Sequence, residues 1–252
     1  MNHRTALVAA ALAAAALAPR AVRAQAPPAP PAAAPAVPLT RTTIDLGFIS
    51  ASGNTRLRTL NAAEQLVVQP GPWKFTQTFG IVSGYTSGAE TANNIHLGVR
   101  GDYAVSPRVR AYGLAVFDRD PFAGIARRFG EQVGVSYGAL IGPAHVLDLE
   151  AGAGRNEQTS PAAAITDYWL GRGAVHYRFT FRPNSYVDEK LELLQSLQSG
   201  PERRINSDAA LVAPLVAGIA LRFGYTVHFV NQPPPGFKKT DQMVSSGVQI
   251  VF

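Results

Sequence analysis

The stretch Gly218–Val230, GIALRFGYTVHFV, sorts its residues onto two faces. Ile219, Leu221, Phe223, Tyr225, Val227 and Phe229 fall on one face; Gly218, Ala220, Arg222, Gly224, Thr226 and His228 fall on the other. A strand sends alternate side chains to opposite faces, whereas a period of 3.6 residues mixes these two sets. The segment is therefore a β-strand with one apolar and one polar face.

The same period of two recurs along the chain. Trp169, Val175, Tyr177, Phe179 and Phe181 oppose Arg172, His176, Arg178 and Thr180. Ile95, Leu97, Val99, Tyr103 and Val105 oppose His96, Arg100 and Asp102, and Leu147, Leu149, Ala151 and Ala153 oppose Asp148, Glu150 and Asn156. Weaker versions fill the gaps and predict twelve strands, near 41–52, 56–69, 73–85, 92–105, 108–119, 126–141, 144–156, 167–182, 185–198, 203–216, 218–231 and 240–252. The stretch Val187–Leu197 also suits a helical turn through Leu191, Leu193, Leu194 and Leu197.

The links alternate in kind. Pro70-Gly71-Pro72, Ser106-Pro107, Gly142-Pro143, Pro183-Asn184 and Ala217-Gly218 are short. Thr86 to Thr91, Asp120 to Ile125, Glu157 to Thr166, Ser199 to Arg203 and Gln232 to Thr240 are longer and polar, with Gly53-Asn54-Thr55 as a short exception. Such alternation is expected of an antiparallel up-and-down transmembrane β-barrel, with tight turns at one rim and larger loops at the other.

Two observations orient the faces. The polar face carries Arg, Asp, Glu and His in mid-strand, where a lipid-facing Arg or Lys costs about 2–4 kcal/mol. Aromatic residues (Trp73, Trp169, Phe179, Phe181, Phe229, Phe252) fall toward strand ends, as an interfacial belt requires. The apolar faces thus point outward. An open sheet in hydrocarbon leaves costly unpaired edges, so strand one is expected to pair with strand twelve. Glu64 and Glu131 fall on apolar faces and do not fit this pattern.

Of the 252 residues, 46% are hydrophobic and 16% charged, against about 25% charged in ordinary soluble domains. The absence of cysteine excludes disulfides, thiolate chemistry and Cys-based metal sites. Residues 1–26 read as a cleaved signal peptide: Arg4, an apolar run from Ala6 to Ala18, then small residues around Ala24 and Ala26. That run is shorter than the ~20 residues of a membrane-spanning helix. Residues 27–39, rich in Pro and Ala, read as a tether, and 40–252 as the barrel domain. Cleavage removes Arg4, Arg20 and Arg23 from the 23 basic residues, leaving a near balance with 17 acidic ones and no basic run for a nucleic acid.

Three motifs resemble a known family. Asp45-Leu46-Gly47-Phe48 with Ser52-Gly53-Asn54-Thr55 is similar to the opening of a bacterial family of unknown function whose members are labelled salt-induced outer-membrane proteins. Phe117 to Ile125 (FDRDPFAGI) resembles its central motif, and Pro233 to Asp241 (PPPGFKKTD) its last loop. Pro121 and Arg127-Arg128 depart from the expected central pattern. The resemblance implies outer-membrane placement and supplies no activity and no catalytic residues. The terminal strand, closing on Phe252, resembles the signal read by the barrel-assembly machinery, which with outer-membrane lipid is the expected partner.

Candidate chemistry is sparse, and no cofactor or metal is expected. His96, His145, His176 and His228 lack metal-ligand spacing. Ser207 and Ser246, the serines a lipid hydrolase would need, have no histidine paired to them by sequence. Candidate lumen-lining residues are Arg100, Asp102, Asp148, Glu150, Arg172, His176, Arg178, Asp208, Arg222 and His228; they line a narrow hydrated pore or lock into an ion-paired plug. Asp118, Arg119 and Asp120 are a candidate rim loop, with a salt-bridged turn as the plainer reading. The expected protein is a non-enzymatic outer-membrane barrel, with a soluble periplasmic barrel binding a lipophilic ligand as the alternative.

Overall fold

A computed structural model describes residues 40–51, 57–198 and 202–252. The expected signal peptide (1–26) and tether (27–39) lie outside the described residues. The strands are β1 (Thr40–Ala51), β2 (Leu57–Val68), β3 (Trp73–Thr86), β4 (Ala89–Ala104), β5 (Val109–Asp120), β6 (Ile125–Ile141), β7 (His145–Thr159), β8 (Ile165–Arg182), β9 (Ser185–Ser196), β10 (Arg203–Val216), β11 (Ile219–Val230) and β12 (Thr240–Val251). Each corresponds to a strand expected from the sequence, and the ambiguous Val187–Leu197 stretch is strand in β9. Every strand pairs antiparallel with its sequence neighbours, and β1 pairs with β12 to close the barrel.

The register puts the apolar faces outside. Phe223 is 52% exposed, Trp169 55% and Val244 79%, while the alternate positions Asp102 and Gln249 are buried. A soluble barrel would bury these large side chains, so the reading of a soluble protein with an apolar interior is overturned. At the rim carrying the short turns the outward aromatics cluster: Trp73 stacks on Phe75 at 5.7 Å and meets Tyr103 at 4.9 Å, and Phe179 lies 4.8 Å from His145. Trp169 and Phe129 face outward nearer the opposite rim.

The opposite rim departs from expectation. β3 runs to Thr86 and β4 starts at Ala89, so the link expected over 86–91 is the two-residue turn Ser87-Gly88, with φ of 53° and 88°. Positive φ at both positions is the geometry that matches strand twist in tight hairpins. The link expected over 157–166 shortens to 160–164, because Thr159 pairs with Ile165. Backbone pairing needs no apolar side chain, so both hairpins continue as polar ribbons past the apolar band, and the alternation of link lengths is less regular than expected.

Candidate functional site

The interior is built around Tyr112 of β5, which is buried. Gly134 of β6 and Gly152 of β7 make room for it: a Cβ at either position would lie 2.6 Å from the phenol oxygen. The glycine spacing of β6 therefore has a packing reason. Arg100 of β4 lies over the ring at 4.1 Å and Arg172 of β8 at 5.5 Å, and Arg172 donates to the Tyr112 hydroxyl at 2.8 Å. The guanidiniums are held by carboxylates: Arg100 by Asp102 (2.7 Å) and Glu150 (2.8 Å), Arg172 by Glu150 (2.6 Å) and Glu192 (2.7 Å). Asn206 extends the lattice by donating to Glu192 at 2.9 Å. It thus ties inward residues of β4, β5, β7, β8, β9 and β10.

A second layer lies nearer the short turns. Arg110 and His176 flank Asp148 at 4.0 and 3.9 Å, and Asp188 is reached by His176 at 3.0 Å and Arg178 at 2.7 Å. Arg178 covers the ring of Tyr186, whose hydroxyl donates to Gln249 at 3.0 Å. Gln249 donates to Asp45 at 3.0 Å, and Arg222 stands 3.5 Å from that carboxylate. Charged groups kept from bulk water are stable only when paired and hydrogen-bonded, and both layers meet that condition.

At the other end, Asp118 binds Arg128 at 2.9 Å and lies 2.7 Å from His96. Asp118 and Arg119 are strand residues, not loop residues, since β5 runs to Asp120. Alternation separates the three: Asp118 and Asp120 point inward, and Asp120 accepts from Asn94 (3.0 Å) and caps a short 3-10 helix at Pro121–Ala123 through the Ala123 amide (3.1 Å). Arg119 faces outward and donates to Asn93 at 2.7 Å.

Of the ten residues expected to line the lumen, Arg100, Asp102, Asp148, Glu150, Arg172, His176 and Arg178 are joined in these layers, with Arg222 at their edge. Asp208 and His228 stand apart: both are exposed, and Asp208 accepts only from Thr226 at 2.8 Å among the described hydrogen bonds. Lys190, on the inward face of β9, is also exposed. The interior is therefore filled along the β4–β8 wall and open beside the middle of β10 and β11, around Asp208 and His228, between the buried inward residues Arg204 and Val212 of β10.

Sequence reasoning missed several groups. Arg204 lies on the inward face of β10, 5% exposed and 5.5 Å from the centre of the Tyr168 ring; its alternation with Asn206 and Asp208 was the available signal. The apolar patch Tyr168, Leu170 and Leu194 plugs the same region from inside. On the outside, Glu64 accepts from Gln77 at 2.9 Å, Glu131 sits opposite Arg155 in the register, and Ser207 donates to Glu189 at 2.8 Å. Arg155 is in turn bonded to Asp167. Each outward carboxylate thus has a polar neighbour on the adjacent strand.

A closed antiparallel barrel with an apolar outer surface and a charged, partly filled interior defines a transmembrane β-barrel of the outer-membrane type. The chain belongs to the family described as protein of unknown function DUF481, whose model matches residues 44–252. Among curated proteins, none matches it in sequence. An outer membrane channel from Pseudomonas putida F1 is similar in structure, with a TM-score of 0.52, 13% identity, and coverage of 86% of this chain and 97% of that one. The porin NanC has a TM-score of 0.48 at 8% identity, covering 84% and 97% of the two chains. The translocator domain of the autotransporter NalP from Neisseria meningitidis has a TM-score of 0.47 at 13% identity, covering 84% and 86%. At such identities the likeness concerns the fold.

Proposed function

We propose that this chain is exported by residues 1–26, tethered by 27–39, inserted in the Gram-negative outer membrane, and acts there as a narrow passive passage for small solutes. One observation carries the reading: Lys190, Asp208 and His228 are exposed on the inner wall, beside a lattice that fills the opposite half. An inert plug would pair all such charges, whereas a hydrated path leaves some free to water. Mixed charge along that path favours small solutes of either sign over a strongly selective filter. The C-terminal strand is the segment that the assembly machinery engages, and the envelope-stress role implied by the family resemblance fits a barrel that admits little.

Single-channel recording in planar bilayers tests the passage: small discrete conductance steps are expected, and an electrically silent, folded barrel would reject it. Extraction of the native protein without detergent would reject the membrane placement itself. Heat-modifiable mobility on gels, the mark of a folded barrel, is the accompanying check.

A further inference from the structure

Two features of the outer end point to a second, lateral route beside the axial one. The link between β11 and β12 and the turn between β5 and β6 arise on opposite walls of the barrel. Yet Pro234 and Phe237 stand over Gly124, where a Cβ would lie 3.0 Å from Pro234 Cγ and 3.2 Å from Phe237 Cδ2. The two motif loops therefore meet, and residues 231–239 bridge the mouth. The second feature is the seam. β1 pairs β2 from Thr40↔Val68 to Ala51↔Leu57, and β12 pairs β11 from Ile219↔Ile250 to Phe229↔Thr240. Between β1 and β12 the ladder runs only from Thr43↔Val251 to Leu46↔Val248, with Thr42 and Phe252 bonded below it.

Directly above, the two strands press together at glycines. A Cβ on Gly47 would lie 2.7 Å from the Ser246 carbonyl oxygen, and one on Gly247 would collide with Leu46. Beyond that crossing, no ladder pair joins β1 to β12 among the described residues, although both strands continue toward the outer rim. Facing backbone edges in hydrocarbon are costly unless something polar occupies them. A cavity of about 60 Å³ lies at the crossing, lined among others by Asp45, Asn61, Arg222, Ser245 and Gly247. Arg222 is its cation, held by Asp45 only at 3.5 Å.

We propose that the upper seam between β1 and β12 is a lateral portal for an amphipath with an anionic head and an apolar tail. The head enters by the upper seam and descends to Arg222 at the crossing, while the tail stays between the strands in contact with lipid. The unpaired edges and Ser245 hydrogen-bond the polar part in transit, and the bridged mouth directs the exchange sideways. This rests on the membrane placement above and adds to the axial passage a lateral route with a substrate class of its own.

The chain has no cysteine, so Phe48→Cys with Ser246→Cys installs a single removable staple just above the crossing. The full chain, refolded in phosphatidylcholine vesicles, is titrated with dansyl-undecanoic acid as the probe. Saturable binding is expected, weakened about tenfold by Arg222→Gln as a charge partner is lost. It should vanish on oxidation of the staple and return on reduction, with axial conductance unchanged. Binding that survives the oxidised staple, or no saturable binding by the reduced folded protein, would overturn the portal. So would disulfide-linked dimers, which would mean that a second copy closes the seam. Failure of the membrane placement reads differently: the chain would not enter vesicles or shift on heating.

Discussion

Glu150 accepts from Arg172 at 2.6 Å and lies 2.8 Å from Arg100, so one carboxylate separates two guanidiniums inside the barrel. Removing it leaves two partly buried cations facing each other around Tyr112. Each guanidinium keeps one carboxylate, Asp102 for Arg100 and Glu192 for Arg172, so Glu150→Gln should destabilise the fold by about 1–3 kcal/mol, the range for weakening charge-assisted hydrogen bonds. Asp208→Asn is the contrast: that group is exposed and bonded to Thr226, and its loss should cost less than about 1 kcal/mol. Urea unfolding in detergent micelles, followed by gel mobility, measures both.

The same lattice predicts an asymmetry among glycines. A methyl group at Gly134 would meet Tyr112 and the β7 backbone, so Gly134→Ala should cost about 1–3 kcal/mol through forced displacement. Gly113, on the outward face of β5, has nothing within 4 Å of an added Cβ, and Gly113→Ala should be neutral or slightly stabilising. If the two variants unfold alike, Tyr112 does not fix the interior.

How much of this was legible follows from the physics of each feature. The twelve strands were, because lipid outside and charge inside impose a period of two that residues such as Phe223 and Arg222 report directly. The Ser87-Gly88 turn was not: Thr86 to Thr91 is polar, and polarity alone does not distinguish a paired ribbon from a loop. The inward set was legible residue by residue, but its pairing was not, since Arg100 and Glu150 meet only once barrel closure brings β4 near β7. Glu64 and Glu131 stood out as misfits because their polar neighbours, Gln77 and Arg155, come from adjacent strands and depend on a register that the sequence does not state.

The outward pair itself is testable. Glu64 sits between Ile44 and Phe79 in the register, on the lipid-facing side, and its described hydrogen bond comes from Gln77. Gln77→Leu alone strands the carboxylate and should destabilise the barrel. Glu64→Leu combined with Gln77→Leu replaces both partners with apolar groups and should be neutral or stabilising by about 1–4 kcal/mol. Unfolding in vesicles measures the cycle; a double variant weaker than Gln77→Leu would mean that the carboxylate has another role on that face.

The last residue separates closure from recognition. Phe252 donates its amide to Thr42 at 2.9 Å and accepts from Thr42 at 3.2 Å, while its ring is 73% exposed on the outer surface. Deleting it removes both bonds from a seam whose ladder is already short, and takes away the ring as well. Phe252→Ala keeps the bonds and removes only the ring. If the ring is what the assembly machinery reads, Phe252→Ala should refold in detergent as the parent does, yet accumulate poorly in outer-membrane fractions. The deletion should fail in both settings, because a barrel in hydrocarbon cannot tolerate an open edge. Normal membrane levels of Phe252→Ala would leave the ring without a part in assembly, and normal refolding of the deletion would show that the four ladder pairs from Thr43 to Leu46 suffice to close the wall.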